Sequence, residues 1–257
     1  MLRNLLLAFT FAKRDFKERY VGMSFGELWY LISPIIMIFI YTVIFSKFMK
    51  MKLNITDSEY AYSIYLVPGL LAWTSFSAIL NRTAMIFMEK GNLLKKVSVP
   101  AYTFMLSILI VEFTLFCISM FLGVGFLFLI DYKIGTSFFY LPPFMLVHSL
   151  FAFSIGVIFA LFTPFFRDLK EVVPIFLQLW FWITPIVYLK DMIYDKFPYV
   201  VDYNPAYLFI RVYQEIFLYD KAPSLETFLK GSFITLLLLL LAAYLYKKTV
   251  PAIKDII

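Results

Sequence analysis

Six long apolar runs, separated by short polar segments, dominate the hydrophobic pattern of the chain. A helix rises 1.5 Å per residue, so it needs about 20 apolar residues to cross the hydrocarbon core of a bilayer. The runs meet or nearly meet that length, and they lack the alternating pattern of membrane β-strands. We therefore predict an all-α membrane protein with six transmembrane helices. The predicted spans are 28–46, 62–88, 102–130, 141–166, 172–189 and 231–246.

The N-terminal segment shows helical periodicity but is too polar to be a span. Its apolar residues recur three or four positions apart, and its second half is basic, which is typical of an amphipathic helix lying in the membrane interface. Gly22 and Gly26 then interrupt the pattern, as a turn or as a hinge, so residues 1–26 form an interface helix and hinge. The apolar positions are Leu2, Leu5, Phe9, Ala12, Phe16 and Tyr20.

Residues 190–226, before the last span, predict a different kind of element. Asn204 can cap a helix that has Pro205 at its first position, and Arg211 and Glu215 form an i,i+4 pair. This helix is too apolar for open water and too short and charged to span. We predict an external re-entrant or interfacial hairpin, whose irregular backbone needs protection by protein or water.

Composition and charge agree with a membrane location. The 257 residues are 62% hydrophobic and 16% charged, too few polar residues to coat a soluble domain. No linker divides the chain, so 1–257 is interpreted as one domain. We predict that both termini lie in the cytoplasm, because more than half of the 23 basic residues are then on the cytoplasmic side. Lys47, Lys50 and Lys52 would lie on the outer side and argue against this orientation. The net charge of +6 then reflects a membrane face rather than nucleic acid.

Several kinds of chemistry are missing from the sequence. It has no phosphate-binding G-x-x-x-x-G-K-[ST] loop, Cys117 is its only cysteine and His148 its only histidine. We predict no catalytic residue, metal site or cofactor; a membrane enzyme would need clustered acids or histidines. Glu112 and His148 lie inside spans, where an ionisable group is costly. Pairing or packing and a functional role remain open for both.

Aromatic residues within the predicted spans indicate a possible path for a substrate. A Trp-Phe-Trp triplet lies in the fifth span, and tyrosines lie on one face of the first span. Aromatic rings offer flat apolar surfaces with polar edges, which suit sugar rings sliding past. Packing against lipid or a second copy is the alternative. The candidate substrate path comprises Tyr30, Tyr41, Trp180, Phe181 and Trp182.

Five sequence blocks in order resemble the ABC type-2 polysaccharide exporter permeases, most nearly the O-antigen (lipopolysaccharide) export permeases of the Wzm type. Each block is weak alone, but together they cover most of the chain. They are Arg14-Asp15 to Pro34, Leu66-Val67-Pro68-Gly69 to Trp73, Asn92 to Pro100, Phe166-Arg167-Asp168-Leu169 to Tyr188, and Asn204-Pro205.

This resemblance implies a homodimer bound to two copies of a separate ABC ATPase that holds ATP and Mg²⁺. It implies export of an undecaprenyl-diphosphate-linked polysaccharide across the bacterial inner membrane, in contact with membrane lipid. Capsule or teichoic-acid export, export of small lipids or drugs, and a membrane enzyme acting on lipid-linked sugars are the alternatives. The expected ATPase-coupling residues are Lys13, Arg14, Glu89, Lys95 and Lys96; the expected gate residues are Asn204, Pro205, Arg211 and Glu215.

Overall fold

The computed structural model describes residues 2–19, 21–48, 59–96 and 99–256, and within these ranges every regular element is helical. The helices are α1 (Leu2–Glu18), α2 (Trp29–Thr42), α3 (Ala61–Ala84), α4 (Ile86–Lys96), α5 (Ala101–Leu129), α6 (Leu141–Phe162), α7 (Leu169–Ile183), α8 (Asp191–Tyr194), α9 (Pro198–Asp202), α10 (Pro205–Tyr219) and α11 (Leu225–Ile256). Two short 3₁₀ turns, Gly26–Leu28 and Thr136–Tyr140, precede α2 and α6, and a π-helical turn, Val43–Phe48, extends α2.

Five helical stretches in the described residues are long and apolar enough to cross a membrane. They coincide with five of the six predicted spans, and the all-helical, multi-pass prediction is therefore confirmed. The stretches are Gly26–Phe45, Ala61–Ala84, Ala101–Leu129, Thr136–Phe162 and Leu225–Ile253.

The remaining predicted span, 172–189, is not one continuous helix, so a sixth transmembrane helix is not confirmed. Helix α7 ends at Ile183, and its 15 residues extend about 22 Å, less than the roughly 30 Å of a hydrocarbon core. Thr184 is extended (φ −89°, ψ 129°), as expected for a residue before a proline. The non-helical segment that follows is held by α3: the Tyr62 hydroxyl donates to the carbonyl of Val187, and the Tyr65 hydroxyl donates to that of Tyr188.

Helix α3 is the centre of the bundle and is buried along most of its length by α5, α6 and α10. Its close approach to α6 depends on Gly156, where an added Cβ would lie 2.9 Å from the backbone oxygen of Leu80. Small residues at such crossings let helix backbones pack closely, as in other membrane proteins. The core therefore lies around α3, and the other spans surround it.

Helices α2, α7 and α11 present apolar side chains away from this core. Exposed examples are Phe39 on α2, Leu179 on α7 and Leu240 on α11. A soluble protein rarely exposes apolar faces of this extent, so these faces suit lipid or another chain.

The turn between α1 and α2 requires glycine at both predicted positions. Gly22 and Gly26 have φ values of +85° and +47°, a region that residues with a Cβ rarely adopt. Open space surrounds both, so the constraint is on the backbone and not on packing. The interruption predicted from the two glycines is confirmed.

Candidate functional site

Four charged side chains, three on helices and one just after α1, meet where α1 lies against the bundle. Arg19, which follows α1, donates from Nη2 to Oε1 of Glu112 on α5 at 2.5 Å. Arg82 on α3 donates from Nη1 to the same oxygen at 2.6 Å. The other nitrogen of Arg82, Nη2, contacts both carboxylate oxygens of Asp15 on α1, at 3.0 and 2.7 Å. We call Asp15, Arg19, Arg82 and Glu112 the ion-pair cluster.

The cluster contains two acidic and two basic groups, so its formal charges cancel. The Glu112 side chain is only 4% exposed, and a buried carboxylate is tolerated only when it is paired and hydrogen-bonded. The ion pair left open by the sequence for Glu112 is therefore confirmed. The sequence could not identify its partners, because Arg19 and Arg82 lie 93 and 30 positions away along the chain.

Aromatic contacts reinforce the docking of α1. The Phe11 ring stacks on Phe104 of α5 with ring centroids 4.5 Å apart. The Tyr30 ring lies 3.9 Å from that of Phe16, and its hydroxyl donates to the Phe16 carbonyl. Tyr30, predicted as part of a substrate path, is only 5% exposed and packs against α1. Its ring is thus largely covered by α1, and its role in a substrate path stays a prediction.

The residues expected to contact an ATPase lie at the same end of α3 as the ion-pair cluster. Lys13 and Arg14 are exposed on α1, where Arg14 pairs with Glu18 at 2.6 Å. Glu89 is exposed on α4, which begins four residues after Arg82. Lys95 and Lys96 belong to the last turn of α4, but their side chains lie outside the described residues. Contact with an ATPase stays a prediction for all five.

Helix α10 lies inside the bundle and is buried on nearly all sides. Asn204 caps it as predicted: its Oδ1 accepts from the backbone N–H groups of Ala206 and Tyr207, with Pro205 at the first helical position. The same oxygen accepts from Trp180 Nε1 at 2.9 Å, and Asn204 Nδ2 donates to Thr184 Oγ1 at 2.9 Å. This polar junction joins the end of α7 to the start of α10.

The middle of α10 packs around His148 of α6. The imidazole is 2% exposed, stacks on Phe209 with centroids 4.9 Å apart, and has its Nδ1 3.2 Å from the Tyr213 hydroxyl. The packing role left open for His148 is therefore the one that the structure shows. Its Nε2 is buried and makes no hydrogen bond with the described residues.

The remaining aromatic path residues differ in their surroundings. Trp180 packs edge-on against Phe76, with centroids 5.3 Å apart, and Phe181 contacts Trp73 at 5.7 Å. Tyr41 is partly buried and stacks on Phe45 at 6.1 Å. Trp182 is 59% exposed. Trp180 and Phe181 thus have packing roles, and a role in substrate passage stays a prediction for all of them.

Polar side chains surround the C-terminal half of α10. The predicted pair of Arg211 and Glu215 is present, with Nε and Oε1 3.6 Å apart, and Lys221 lies 3.7 Å from the second Glu215 oxygen. Two cavities, of about 610 and 550 Å³, flank this region and share Lys190, Tyr207 and Arg211.

These features define a class: a multi-pass α-helical membrane protein with charged helices docked at one end and a buried helix inserted near the other. The family model of ABC-2 type transporters matches residues 7–218, and the chain belongs to this family. Membership of this family makes the chain a membrane transport protein.

Three relatives carry a more specific name, "O-antigen export system permease protein RfbA". One from Klebsiella pneumoniae is 30% identical over 218 residues, which cover 84% of this chain and 81% of the relative. A second protein from that organism is 29% identical with the same coverage. One from Myxococcus xanthus is 26% identical over 247 residues, or 95% of this chain and 92% of the relative.

Proposed function

We propose that the chain is the permease subunit of an ABC exporter that moves undecaprenyl-diphosphate-linked O-antigen polysaccharide across the bacterial inner membrane. The observation that carries this proposal is the similarity, over 84–95% of the chain, to relatives named as O-antigen export permeases. The sequence contains no phosphate-binding loop, so the energy comes from a separate ABC ATPase. Two permease copies and two ATPase copies form the exporter.

In this proposal, the end that carries α1 and α4 faces the cytoplasm. Helix α11 returns to this end, where the Tyr246 hydroxyl accepts from the backbone N–H of Tyr102, so both termini lie inside. Helix α7 and the extended segment 184–189 complete a sixth crossing. Helix α10 enters from the outer side, and surrounding protein protects the irregular backbone beside it, as the membrane interior requires.

The exposed charges of α1 and α4 receive the movement of the ATPase. Lys13, Arg14 and Glu89 are exposed at this end, and the ion-pair cluster fastens α1 to α3 and α5. The exporter gates at α10, where Arg211 and Glu215 line the outer cavity. The glycan passes the exposed faces of α2 and α7, where Tyr41 and Trp182 supply aromatic surface without strong binding, a requirement for conduction.

The test is O-antigen display on cells that lack their own permease and are complemented with this chain and an ABC ATPase. Trp182→Ala should reduce display severalfold at equal amounts of permease in the membrane, because it removes an exposed ring of the path. Leu237→Ala is the matched control, since Leu237 on α11 is 52% exposed against 59% for Trp182.

Absence of surface O-antigen in the complemented cells, with both subunits present in the membrane, would contradict the proposed substrate. Equal losses for the Trp182 and Leu237 variants would instead show that the exposed tryptophan acts only as apolar surface.

A further inference from the structure

A cavity of about 200 Å³ lies between α2, α3 and α5, directly beside the ion-pair cluster. Arg19 and Glu112 contribute to its wall at one end, and Met37 and Leu71 lie further along it. From Arg82 to Leu71 is 11 residues of helix, or about 16 Å, so the cavity extends from the cluster toward the middle of α3. It is separate from the two cavities around α10.

The wall of this cavity carries hydroxyl groups as well as apolar side chains. Ser33 of α2, Thr74 and Ser75 of α3, and Ser119 of α5 line it. Ser75 is only 8% exposed, and its Oγ makes no hydrogen bond with the described residues. A buried hydroxyl without a partner is unfavourable, so an occupant that hydrogen-bonds to it would be stabilising.

The charges at the end of the cavity limit what it can hold. The guanidinium groups of Arg19 and Arg82 both donate to Glu112, and Arg82 also pairs with Asp15. The cluster therefore offers no excess positive charge to an anion. The hydroxyl groups suit an occupant that carries hydroxyl groups itself. Trp29 and Phe116 add aromatic surface for its apolar faces. An acyl chain would leave the Ser75 hydroxyl without a partner.

The size of the cavity fits one ring. An engineered cavity of about 150 Å³ binds benzene, a six-membered ring, and this one is larger and carries hydroxyl groups in a mostly apolar wall. We propose that the cavity binds one neutral sugar ring of the lipid-linked glycan at the start of transport, through Ser75 and its neighbouring hydroxyls. This inference rests on the proposed function and identifies the cavity as the site where the exporter first binds the glycan, which we call the loading site.

The test measures binding of a short undecaprenyl-diphosphate-linked saccharide to the permease–ATPase complex in nanodiscs, without ATP, by native mass spectrometry. Ala78→Leu places a larger side chain in the cavity wall and should reduce the bound saccharide at least tenfold. Ser75→Ala removes one hydrogen-bonding group and should reduce it about fivefold, the loss expected for one hydrogen bond. Ala243→Leu, on the exposed side of α11, should bind as the unmodified complex does.

A parallel measurement counts phospholipids bound to the same complexes, and gel filtration verifies that each variant is folded. Unchanged saccharide binding by both cavity variants would overturn the proposal. Loss of a bound phospholipid with saccharide binding retained would also overturn it and would assign the cavity to lipid. If Ala78→Leu does not fold, Ser75→Ala alone decides the question.

Failure of the loading site is distinguishable from failure of the proposed function. A complex that displays O-antigen on cells while its cavity variants bind saccharide normally refutes only the loading site. A complex that neither displays O-antigen nor binds the saccharide refutes both.

Discussion

Charge balance in the ion-pair cluster gives a prediction that needs no assumption about the substrate. Replacing Glu112 with Gln leaves two partly buried bases against one acid, whereas replacing Arg82 with Met leaves two acids against one base. Breaking a buried pair by removing one partner costs about 3–5 kcal/mol, because it leaves an uncompensated buried charge. The double variant leaves Arg19 and Asp15, whose charges cancel, so it should be more stable than either single variant.

The magnitude follows from the exposure of each group. The cost depends on the charge that is left behind. Arg82→Met leaves the Glu112 carboxylate, which is 4% exposed, with Arg19 as its remaining partner, whereas Glu112→Gln leaves Arg19, which is 27% exposed, without a partner. The larger cost therefore applies to Arg82→Met and a smaller one to Glu112→Gln. At about 2–4 °C per kcal/mol for a chain of this length, a loss of about 3 kcal/mol lowers the melting temperature by about 6–12 °C.

The assay is thermal unfolding of the purified permease in detergent, monitored by fluorescence-detected gel filtration after heating. Glu226→Gln is the control, because its ion pair with Lys230 is exposed and its loss should produce no measurable shift. A double variant whose melting temperature falls by the sum of the two single losses would refute the charge-balance reasoning. The pairs would then act independently.

Three further predictions concern the rest of the molecule. Asn204→Ala should lower the melting temperature, since an N-cap contributes about 1 kcal/mol and the Trp180 indole N–H loses its acceptor; Asn204→Asp should lose less. Tyr213→Phe should destabilise by about 1–3 kcal/mol, because His148 loses its hydroxyl partner, and adding His148→Phe should recover part of that loss, measured by the same assay. The permease purified without its ATPase should hydrolyse no ATP in a phosphate-release assay; turnover in such a preparation would contradict the division of labour proposed for the exporter.

The elements that local patterns specify were predictable from the sequence. The three- and four-residue spacing of apolar positions correctly predicted α1, and long apolar runs correctly predicted five spans. The cap of α10 was also predictable, because Asn-Pro at a helix start depends only on adjacent residues. In each case the signal lies within one helix, where periodicity and capping act.

Features that depend on contacts between helices were not predictable in the same way. The apolar sequence of α10 shows that this helix does not lie in open water. The same sequence fits a helix at the membrane surface and a helix buried against α3 and α6, and only the structure distinguishes the two. The end of α7 was mispredicted because hydropathy continues through Pro185 while the helix does not. The proline was visible in the sequence, and its effect on the preceding residue was the available signal.

The two ends of the described bundle use polar groups in opposite ways. The cluster at α1 brings full charges together across three helices, so its stability depends on charge balance and changes sharply when one member is lost. The junction at Asn204 uses neutral donors and acceptors, each bond contributing about 1 kcal/mol, and can exchange partners at lower cost. In the proposed exporter, the rigid contact therefore belongs where α1 must follow the ATPase, and the weaker junction belongs where α10 must open and close. The same reasoning explains why Gly22 and Gly26 follow α1: a helix fastened to α3 and α5 by ion pairs still needs a turn that leads the chain into α2.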